Sequence, residues 1–216
     1  MAEDARHVAE LLNRMKNGDE KALAALFSRQ RDRLLRMVTF RMDPRLQGRV
    51  DAEDILQEAY LDAVKRMRHF EDDHSASFFV WLRLVVSQTL IDVHRRHLGT
   101  RKRDADRDVA LHGPRWSQTT SVSLAANLLG RYTSPTLAAR RAEVGERLRE
   151  ALEGMDRLDR EVLALRHFEE LTNSEVAEEL GIQQKAASIR YVRALRRLRS
   201  ILAGLPGLAD DVKDGI

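Results

Sequence analysis

The chain has 216 residues, enough for one ordinary domain or two small ones, and 43% of them are apolar, so a packed core can form. The absence of cysteine excludes a disulfide scaffold, a thiolate zinc finger and a cysteine nucleophile. The net charge is a modest +3, although 33% of the residues are charged. Few glycines and prolines, and only 5% aromatic residues, predict an all-α protein.

Four helical patterns of apolar residues fill the first hundred residues. The second helix is expected to begin at Asp19, the third at Asp51 and the fourth at about Phe78. An aspartate immediately before a helix can accept hydrogen bonds from the first turn, and its charge suits the helix dipole. The four helices predict a first domain over residues 1–97.

Turn-forming residues and a polar run are concentrated in residues 98–135, although a short helix could form within 122–129. This composition predicts an interdomain linker, mostly flexible. Helical patterning resumes afterwards, which predicts a second domain over residues 136–204 and a tail over 205–216. The expected fold is therefore all-α, with two small helical domains joined by a linker.

The second predicted domain ends in a pattern typical of a helix-turn-helix. Thr172 is a good N-cap, Glu175 completes a capping box, and Gly181 ends a short helix. A basic second helix follows from about Gln183, and such a helix fits the major groove of DNA. Its packing side is expected to carry Ala186, Ala187, Ile189 and Val192. A helical hairpin with a solvated basic face is the alternative.

The side chains of this second helix fall into two groups. Those of its first turns are expected to reach base edges, because Gln suits adenine and Lys suits guanine: Gln183, Gln184, Lys185 and Ser188. The arginines further along are expected to hold phosphates, which fixes the register of the protein and carries no sequence information: Arg190, Arg193, Arg196 and Arg197.

Charge is unevenly distributed along the chain. An acidic block lies in residues 51–74, and stretches without any acid lie in residues 93–103 and 181–209. Two basic patches predict two polyanion contacts, and the acidic block predicts a protein partner. The N-terminus lacks a signal-peptide pattern, and the most apolar stretch, 78–93, is too short and too polar to span a bilayer. A cytoplasmic protein without membrane insertion is expected.

Two stretches of the chain resemble the bacterial sigma-70 family, specifically its extracytoplasmic-function (ECF) group. DAEDILQEAYLDAVKRMRHF (Asp51 to Phe70), followed by SFFVWLRLVVSQTLIDVHRR (Ser77 to Arg96), is similar to regions 2.2 to 2.4 of that family. LDREVLALRHFEELTNSEVAEELGI (Leu158 to Ile182), with the basic helix after it, is similar to region 4. The Gly18–Glu20 opening is similar to region 2.1. The match covers both predicted domains but not the linker.

The resemblance implies that the N-terminal domain docks on the clamp coiled coil of core RNA polymerase and captures the melted −10 strand. The expected polymerase-binding residues form an acidic face with one exposed leucine: Asp54, Gln57, Glu58, Leu61 and Asp62. The expected −10 residues are Arg83, Gln88, Arg95 and Arg96. Gln88 stands where the family usually has Asn. Trp81 is expected in the core in preference to a role as a base-stacking platform.

The resemblance also makes the basic helix the reader of the −35 element. Its expected DNA-binding residues are Thr172, Gln183, Gln184, Lys185, Ser188, Arg190, Arg193 and Arg197. The recognition helix departs from the usual family pattern at residues 186–190, so the −35 sequence is not transferable. The implied partners are core RNA polymerase, promoter DNA and, as commonly in the family, an anti-sigma factor.

Two other function classes fit the sequence less well than an initiation factor. No phosphate loop, serine elbow or paired-carboxylate motif indicates an enzyme, and no cofactor is expected. His94 and His97 could share a metal ion, but two polar histidines in a DNA-facing tail are favoured. A stand-alone helix-turn-helix regulator that binds duplex DNA as a dimer explains the C-terminal motif, but not the acidic block.

Overall fold

The structure is a computed structural model that describes residues 2–46, 48–70, 77–98, 114–131 and 141–205. Within these residues the secondary structure is helical, with nine α-helices and no strand. The chain divides between Asp108 and Val109 into two compact units. The all-α fold with two helical domains is therefore confirmed. None of the described helices is long and apolar enough to cross a membrane.

Four of the described α-helices belong to the first unit. They are α1 (Ala2–Lys16), α2 (Glu20–Arg41), α3 (Ala52–Arg66) and α4 (Phe78–Leu98), with 3-10 turns at Pro44–Leu46 and Met67–His69. The predicted N-caps are confirmed: Asp19 accepts hydrogen bonds from the backbone N–H groups of Lys21 and Ala22, and Asp51 accepts one from Glu53.

The core of the first unit lies between α2, α3 and α4. Its fully buried side chains include Leu23, Leu34, Met37, Leu82 and Leu90. The α3 helix contacts both α2 and α4 through small residues, and Ala59 and Ala63 are completely buried. Because alanines let helix axes approach closely, α3 is held firmly on one side and presents its other side outward.

The remaining five described α-helices belong to the second unit. They are α5 (Pro114–Arg131), α6 (Arg141–Glu153), α7 (Arg157–Leu163), α8 (Asn173–Leu180) and α9 (Gln184–Ala203); a π-helical turn, Ala164–Phe168, extends α7. The long α9 packs on α6, α7 and α8. Leu148, Leu163 and Leu198 are fully buried among these helices.

The helix α5 lies inside the stretch that composition predicts to be a linker. It packs on α6 and α7 through Leu124 and Leu128 and belongs to the second unit, so residues 114–131 are folded and not a flexible spacer. The polar run predicts a loop because its composition does not show that the described hydroxyl groups, those from Thr120 onward, are buried. Thr120 is inaccessible and donates a hydrogen bond to Glu161 at 2.7 Å. The rest of the predicted linker, apart from Leu98, lies outside the described residues.

Candidate functional site

The outward side of α3 carries the residues expected to bind a protein partner. Asp54 and Gln57 are exposed, and Leu61 has 60% of its surface accessible to solvent. Glu58 and Asp62 are half-buried beside them. Helical periodicity accounts for this arrangement, since Ile55, Leu56, Ala59 and Ala63 take the inward side. A large exposed aliphatic side chain among acids is an arrangement typical of a protein-docking surface.

A groove of about 500 Å³ borders this surface between α2 and α3. Its lining residues are Phe27, Arg31, Glu53, Leu56, Gln57, Tyr60 and Leu61. The rings of Phe27 and Tyr60 meet edge to face with centroids 5.2 Å apart, and an Arg31–Glu53 ion pair lies at the rim. The predicted residues Gln57 and Leu61 therefore stand at the edge of a concave, partly apolar surface.

Glu58 of the acidic side and Arg96 of the predicted −10 set are brought together. One terminal nitrogen of Arg96 lies 2.7 Å from both carboxylate oxygens of Glu58, 38 residues away in sequence. The hydrogen bond that Arg96 donates to Glu58 raises the pKa of Arg96, so its positive charge is further stabilised. Asp62 pairs within its own helix with Lys65 at 2.8 Å. The acidic side of α3 is thus tied to the basic end of α4.

The predicted −10 residues on α4 do not form one surface. Arg83 is only 4% exposed, so the expectation that it offers charge to DNA is wrong for this structure. It lies one turn from Phe79 and two positions from Val85, within the buried side of α4. Gln88 and Arg95 are half-buried, and Arg95 pairs with Asp92 at 3.5 Å. Only Arg96 is exposed.

The aromatic side chains at the start of α4 form a cluster with the preceding segment. The Trp81 ring lies 5.2 Å from that of Phe70 and 5.7 Å from that of Phe78, measured between centroids. Phe70 is 5% exposed, and the Trp81 side chain is half-buried against it. This packing agrees with the core interpretation of Trp81.

The His94 side chain of α4 is half-buried and contacts the turn that follows α2. Its Nε2 accepts a hydrogen bond from the backbone N–H of Asp43 at 3.3 Å, so the ring serves as a neutral acceptor. Burial lowers the pKa of His94; Asp43 opposes that shift and Arg45 adds to it. His94 therefore has a structural partner 51 residues away in sequence.

The predicted helix-turn-helix is present as α8 and α9. Thr172 and Glu175 form the full capping box: the Thr172 hydroxyl accepts from the Glu175 N–H, and the Glu175 carboxylate accepts from the Thr172 N–H at 2.8 Å. Gly181 ends α8 with φ of +62°, in the left-handed region that glycine favours. The Asn173 amide donates to the Ser188 hydroxyl at 2.8 Å and joins the two helices.

The helix α9 turns a different side inward from the one that the sequence predicts. Ala187 is fully buried as expected, but Ile189 is 58% exposed and Val192 is 47% exposed. The expectation that these two residues face the core is wrong. The buried side instead follows Ala187, Ala194, Leu198 and Leu202, a spacing of seven and four residues. Gln183, Gln184 and Lys185 are exposed at the start of α9.

Arg190 and Arg193 of α9 bind an aspartate on α7. The guanidinium of Arg193 contacts both carboxylate oxygens of Asp159, with Nε 2.5 Å from Oδ2, and Arg190 lies 2.8 Å from Oδ1. Asp159 is 5% exposed as a residue. Burial alone would raise the pKa of Asp159, but the hydrogen bonds from Arg193 and Arg190 outweigh it and lower that pKa. We call these three residues the Asp159 clamp.

The Asp159 clamp changes the division of roles predicted for the arginines of α9. Arg190 and Arg193 were expected to hold phosphates, yet both have their guanidinium groups engaged by Asp159. Arg196 and Arg197 are exposed, and no ion pair to them is found among the described residues. Sequence reasoning missed Asp159, because an ion pair spanning more than 30 residues leaves no local spacing signal.

Comparison with known proteins identifies the family to which this arrangement of two helical units belongs. The family model described as "ECF sigma factor" matches residues 5–200, which include all the predicted site residues. The chain belongs to the ECF sigma factor family. An ECF sigma factor binds core RNA polymerase and directs promoter-specific initiation of transcription, so its partners are the polymerase and promoter DNA.

Individual ECF sigma factors are similar to this one along nearly their full lengths. The ECF RNA polymerase sigma factor SigW of Bacillus subtilis (strain 168) is 24% identical over 199 residues, covering 92% of this chain and 98% of SigW. The RNA polymerase sigma-H factor of Pseudomonas aeruginosa is 24% identical, covering 91% of this chain and 94% of that protein. A stand-alone regulator is not favoured, because the similarity extends over both units.

A solved structure shares the fold of this ECF sigma factor. CnrH, described in complex with the cytosolic domain of CnrY, superposes with a TM-score of 0.51 at 20% sequence identity. The superposition covers 91% of this chain and 97% of CnrH. The all-helical architecture with two units is thus found in a second protein.

Proposed function

We propose that the outward side of α3 is the surface through which this sigma factor docks on the clamp coiled coil of core polymerase. Asp54, Gln57 and Leu61 are exposed together beside the groove between α2 and α3. The acids steer a basic partner toward the surface, and the Leu61 side chain gains most from being buried there. The exposure of Leu61 at 60% is the single observation that best supports docking.

We propose that α4 contributes to −10 recognition with fewer cationic contacts than the sequence predicts. Arg96 and Arg95 supply positive charge, and Gln88 supplies an amide for a base. Arg83 has no part in this surface, because it is buried. The Glu58–Arg96 pair means that Arg96 exchanges a carboxylate for a phosphate when DNA binds, or contacts DNA through its remaining nitrogens.

We propose that α9 reads the −35 duplex from its exposed first turns. Gln184 and Lys185 lie where a helix entering the major groove meets base edges, and Gln183 precedes them as the N-cap. Arg196 and Arg197 hold phosphates further along α9. Arg190 and Arg193 are positioning residues that fix α9 on α7, and the Ser188–Asn173 bond fixes its first turns. Thr172 supports the surface as the N-cap of α8.

We propose that the protein acts in the cytoplasm, where core polymerase is found, and that it has neither enzymatic activity nor a cofactor. An anti-sigma partner is a further part of the proposal. It is supported by the complex named for CnrH with the cytosolic domain of CnrY. The direct test is to recover a protein that binds this sigma factor in a one-to-one complex. Core polymerase should displace that protein from the sigma factor.

The test of the proposed function is assembly with core polymerase followed by transcription. The full chain is mixed with bacterial core polymerase, separated by size exclusion and assayed on a library of promoters randomised at −35 and −10. We expect co-elution and initiation at a restricted set of sequences. Asp54→Lys combined with Leu61→Ala should abolish co-elution, whereas Glu10→Lys, an exposed acid on α1, should not. Normal co-elution of the double variant would refute the docking surface.

A further inference from the structure

Two exposed aliphatic side chains on α9 have no role in the proposed function. Ile189 is 58% exposed and Val192 is 47% exposed, although the helix has a well-filled buried side. They lie three residues apart, so they are neighbours on the same side of the helix. The buried side passes through Ala187 and Ala194, and a rotation of 100° per residue places Ile189 nearly opposite Ala187. The pair therefore faces away from the second unit's core.

The neighbours of this aliphatic pair are cations. Lys185 precedes Ile189 by four residues and Arg196 follows Val192 by four, so all four side chains form one ridge along the exposed side of α9. Lys185 and Arg196 are themselves exposed. There is no acidic residue between Glu179 and Asp210. The charge around the pair is thus complementary to a polyanion.

An aliphatic pair between cations is complementary to a polyanion that offers an apolar group at its surface. Duplex DNA offers one in the major groove, where thymine presents its C5 methyl group beside the base-pair hydrogen-bonding edge. Ile and Val are branched at Cβ and have few rotamers, so they present their methyl groups at fixed positions. Fixed methyl groups discriminate between bases better than a flexible side chain does.

We propose that Ile189 and Val192 read thymine in the −35 duplex through its C5 methyl group. The inference rests on the proposed function of α9 and adds a base identity to it. Lys185 and Arg196 hold the phosphates or base edges on either side of the contact, and the aliphatic pair is buried against the methyl group. The −35 sequence that this protein prefers therefore includes at least one T·A pair facing the middle of α9.

The test removes only the methyl group. Holoenzyme made from the full chain first selects its −35 sequence from a randomised library. The selected promoter is then synthesised with deoxyuridine in place of each −35 thymidine in turn, since uracil keeps the hydrogen-bonding edge and lacks the methyl group. We expect initiation to fall about fourfold for each contacted methyl group, the factor that corresponds to one buried methylene-sized group.

A protein variant shows whether Ile189 and Val192 cause that loss. The double variant Ile189→Ala with Val192→Ala should initiate less well on thymidine templates and should no longer distinguish deoxyuridine from thymidine. Both positions are exposed, so the truncations leave the packing of α9 unchanged. Val122→Ala truncates another exposed aliphatic residue of the second unit and should keep the full sensitivity.

The outcomes separate this inference from the proposed function. If holoenzyme selects a −35 sequence but tolerates deoxyuridine at every position, methyl reading is refuted while promoter recognition stands. If the double variant remains as sensitive to deoxyuridine as the unmodified protein, other residues read the methyl group and the inference is also refuted. If holoenzyme selects no −35 sequence at all, the proposed function of α9 fails.

Discussion

The guanidinium of Arg193 on α9 makes a two-pronged ion pair with the carboxylate of Asp159 on α7, with N–O distances of 2.5 and 2.7 Å. Arg190 adds a third contact to the same carboxylate at 2.8 Å. A bidentate arginine–carboxylate pair fixes the orientation of both side chains and also contributes binding energy. Together with the buried apolar side of α9, the ion pair fixes the rotation of the recognition helix about its own axis, and this rotation decides which of its residues face outward.

The Asp159 clamp predicts that Asp159→Asn lowers both the stability of the second unit and initiation at −35-dependent promoters. The amide keeps the size of the side chain but loses the charge and one acceptor, so the second unit should lose about 2 kcal/mol of stability, the contribution of hydrogen bonds to charged groups. Initiation at promoters that depend on the −35 element should fall, while binding to core polymerase should not. Thermal unfolding, co-elution and transcription measure the three effects.

Asp156→Asn is the matched control for the clamp. Asp156 also pairs with Arg190, at 3.1 Å, but its side chain is 55% exposed, against 7% for that of Asp159. Asp156 is the N-cap of α7 and accepts a hydrogen bond from the Asp159 N–H, and asparagine caps a helix equally well. An exposed pair contributes little to stability, so this variant should keep near-normal stability and −35 dependence. If Asp156→Asn and Asp159→Asn reduced stability and −35 dependence equally, the proposed role of Asp159 in fixing α9 would be refuted.

Removal of Arg197 should weaken −35 binding by holoenzyme without changing its sequence preference. The Arg197 side chain is exposed and proposed to contact phosphate, so Arg197→Ala should lower the slope of log affinity against log salt by about 1. Arg190→Ala should instead reduce stability, because it removes a clamp contact. The salt dependence of binding to a −35 duplex measures the difference. A salt slope unchanged by Arg197→Ala would refute the phosphate contact.

The half-buried ring of His94 predicts a loss of stability in weak acid. Its pKa is lower in the folded protein than the ordinary value of 6.5, so protonation favours the unfolded chain. The contribution of neutral His94 is fully present above about pH 6.5 and is lost as the pH falls toward the lowered pKa. Thermal unfolding between pH 7.5 and 5 should show this decline.

His94→Gln isolates the contribution of His94 to that decline. Glutamine retains an acceptor for the Asp43 N–H and does not titrate, so the variant should lose less stability than the unmodified protein over the same pH range. An identical decline in both proteins would assign the pH dependence to other groups.

Gly181→Ala should destabilise the second unit by about 1 kcal/mol. The backbone at Gly181 has φ of +62°, which costs any residue with a β-carbon, although there is open space where that carbon would lie. Gly181→Asn should cost less, because asparagine tolerates the left-handed region. Chemical denaturation of the three proteins measures the order. If the Gly181→Ala variant were as stable as the unmodified protein, the expected cost of a β-carbon at this backbone conformation would be refuted.

Much of the local structure follows from the sequence alone. The aspartate N-caps of α2 and α3, the Thr172–Glu175 capping box and the glycine that ends α8 are all confirmed, because each depends on residues within one helical turn. The helix α5 was only partly predicted. Its buried polar side chains, such as Thr120, are satisfied by partners such as Glu161 that lie far away in sequence.

The sequence by itself determined the family, the helical fold, and the exposed acidic side of α3, because these depend on residue types at short spacing. Only the tertiary structure decided that Arg83 is buried, that Arg190 and Arg193 bind Asp159, and that Ile189 and Val192 point outward. The rotation of an amphipathic helix with small residues on several sides is not fixed by its own pattern. It is fixed by the partners that other helices supply, here by the apolar side chains that bury Ala187, Ala194 and Leu198 and by the buried aspartate on α7.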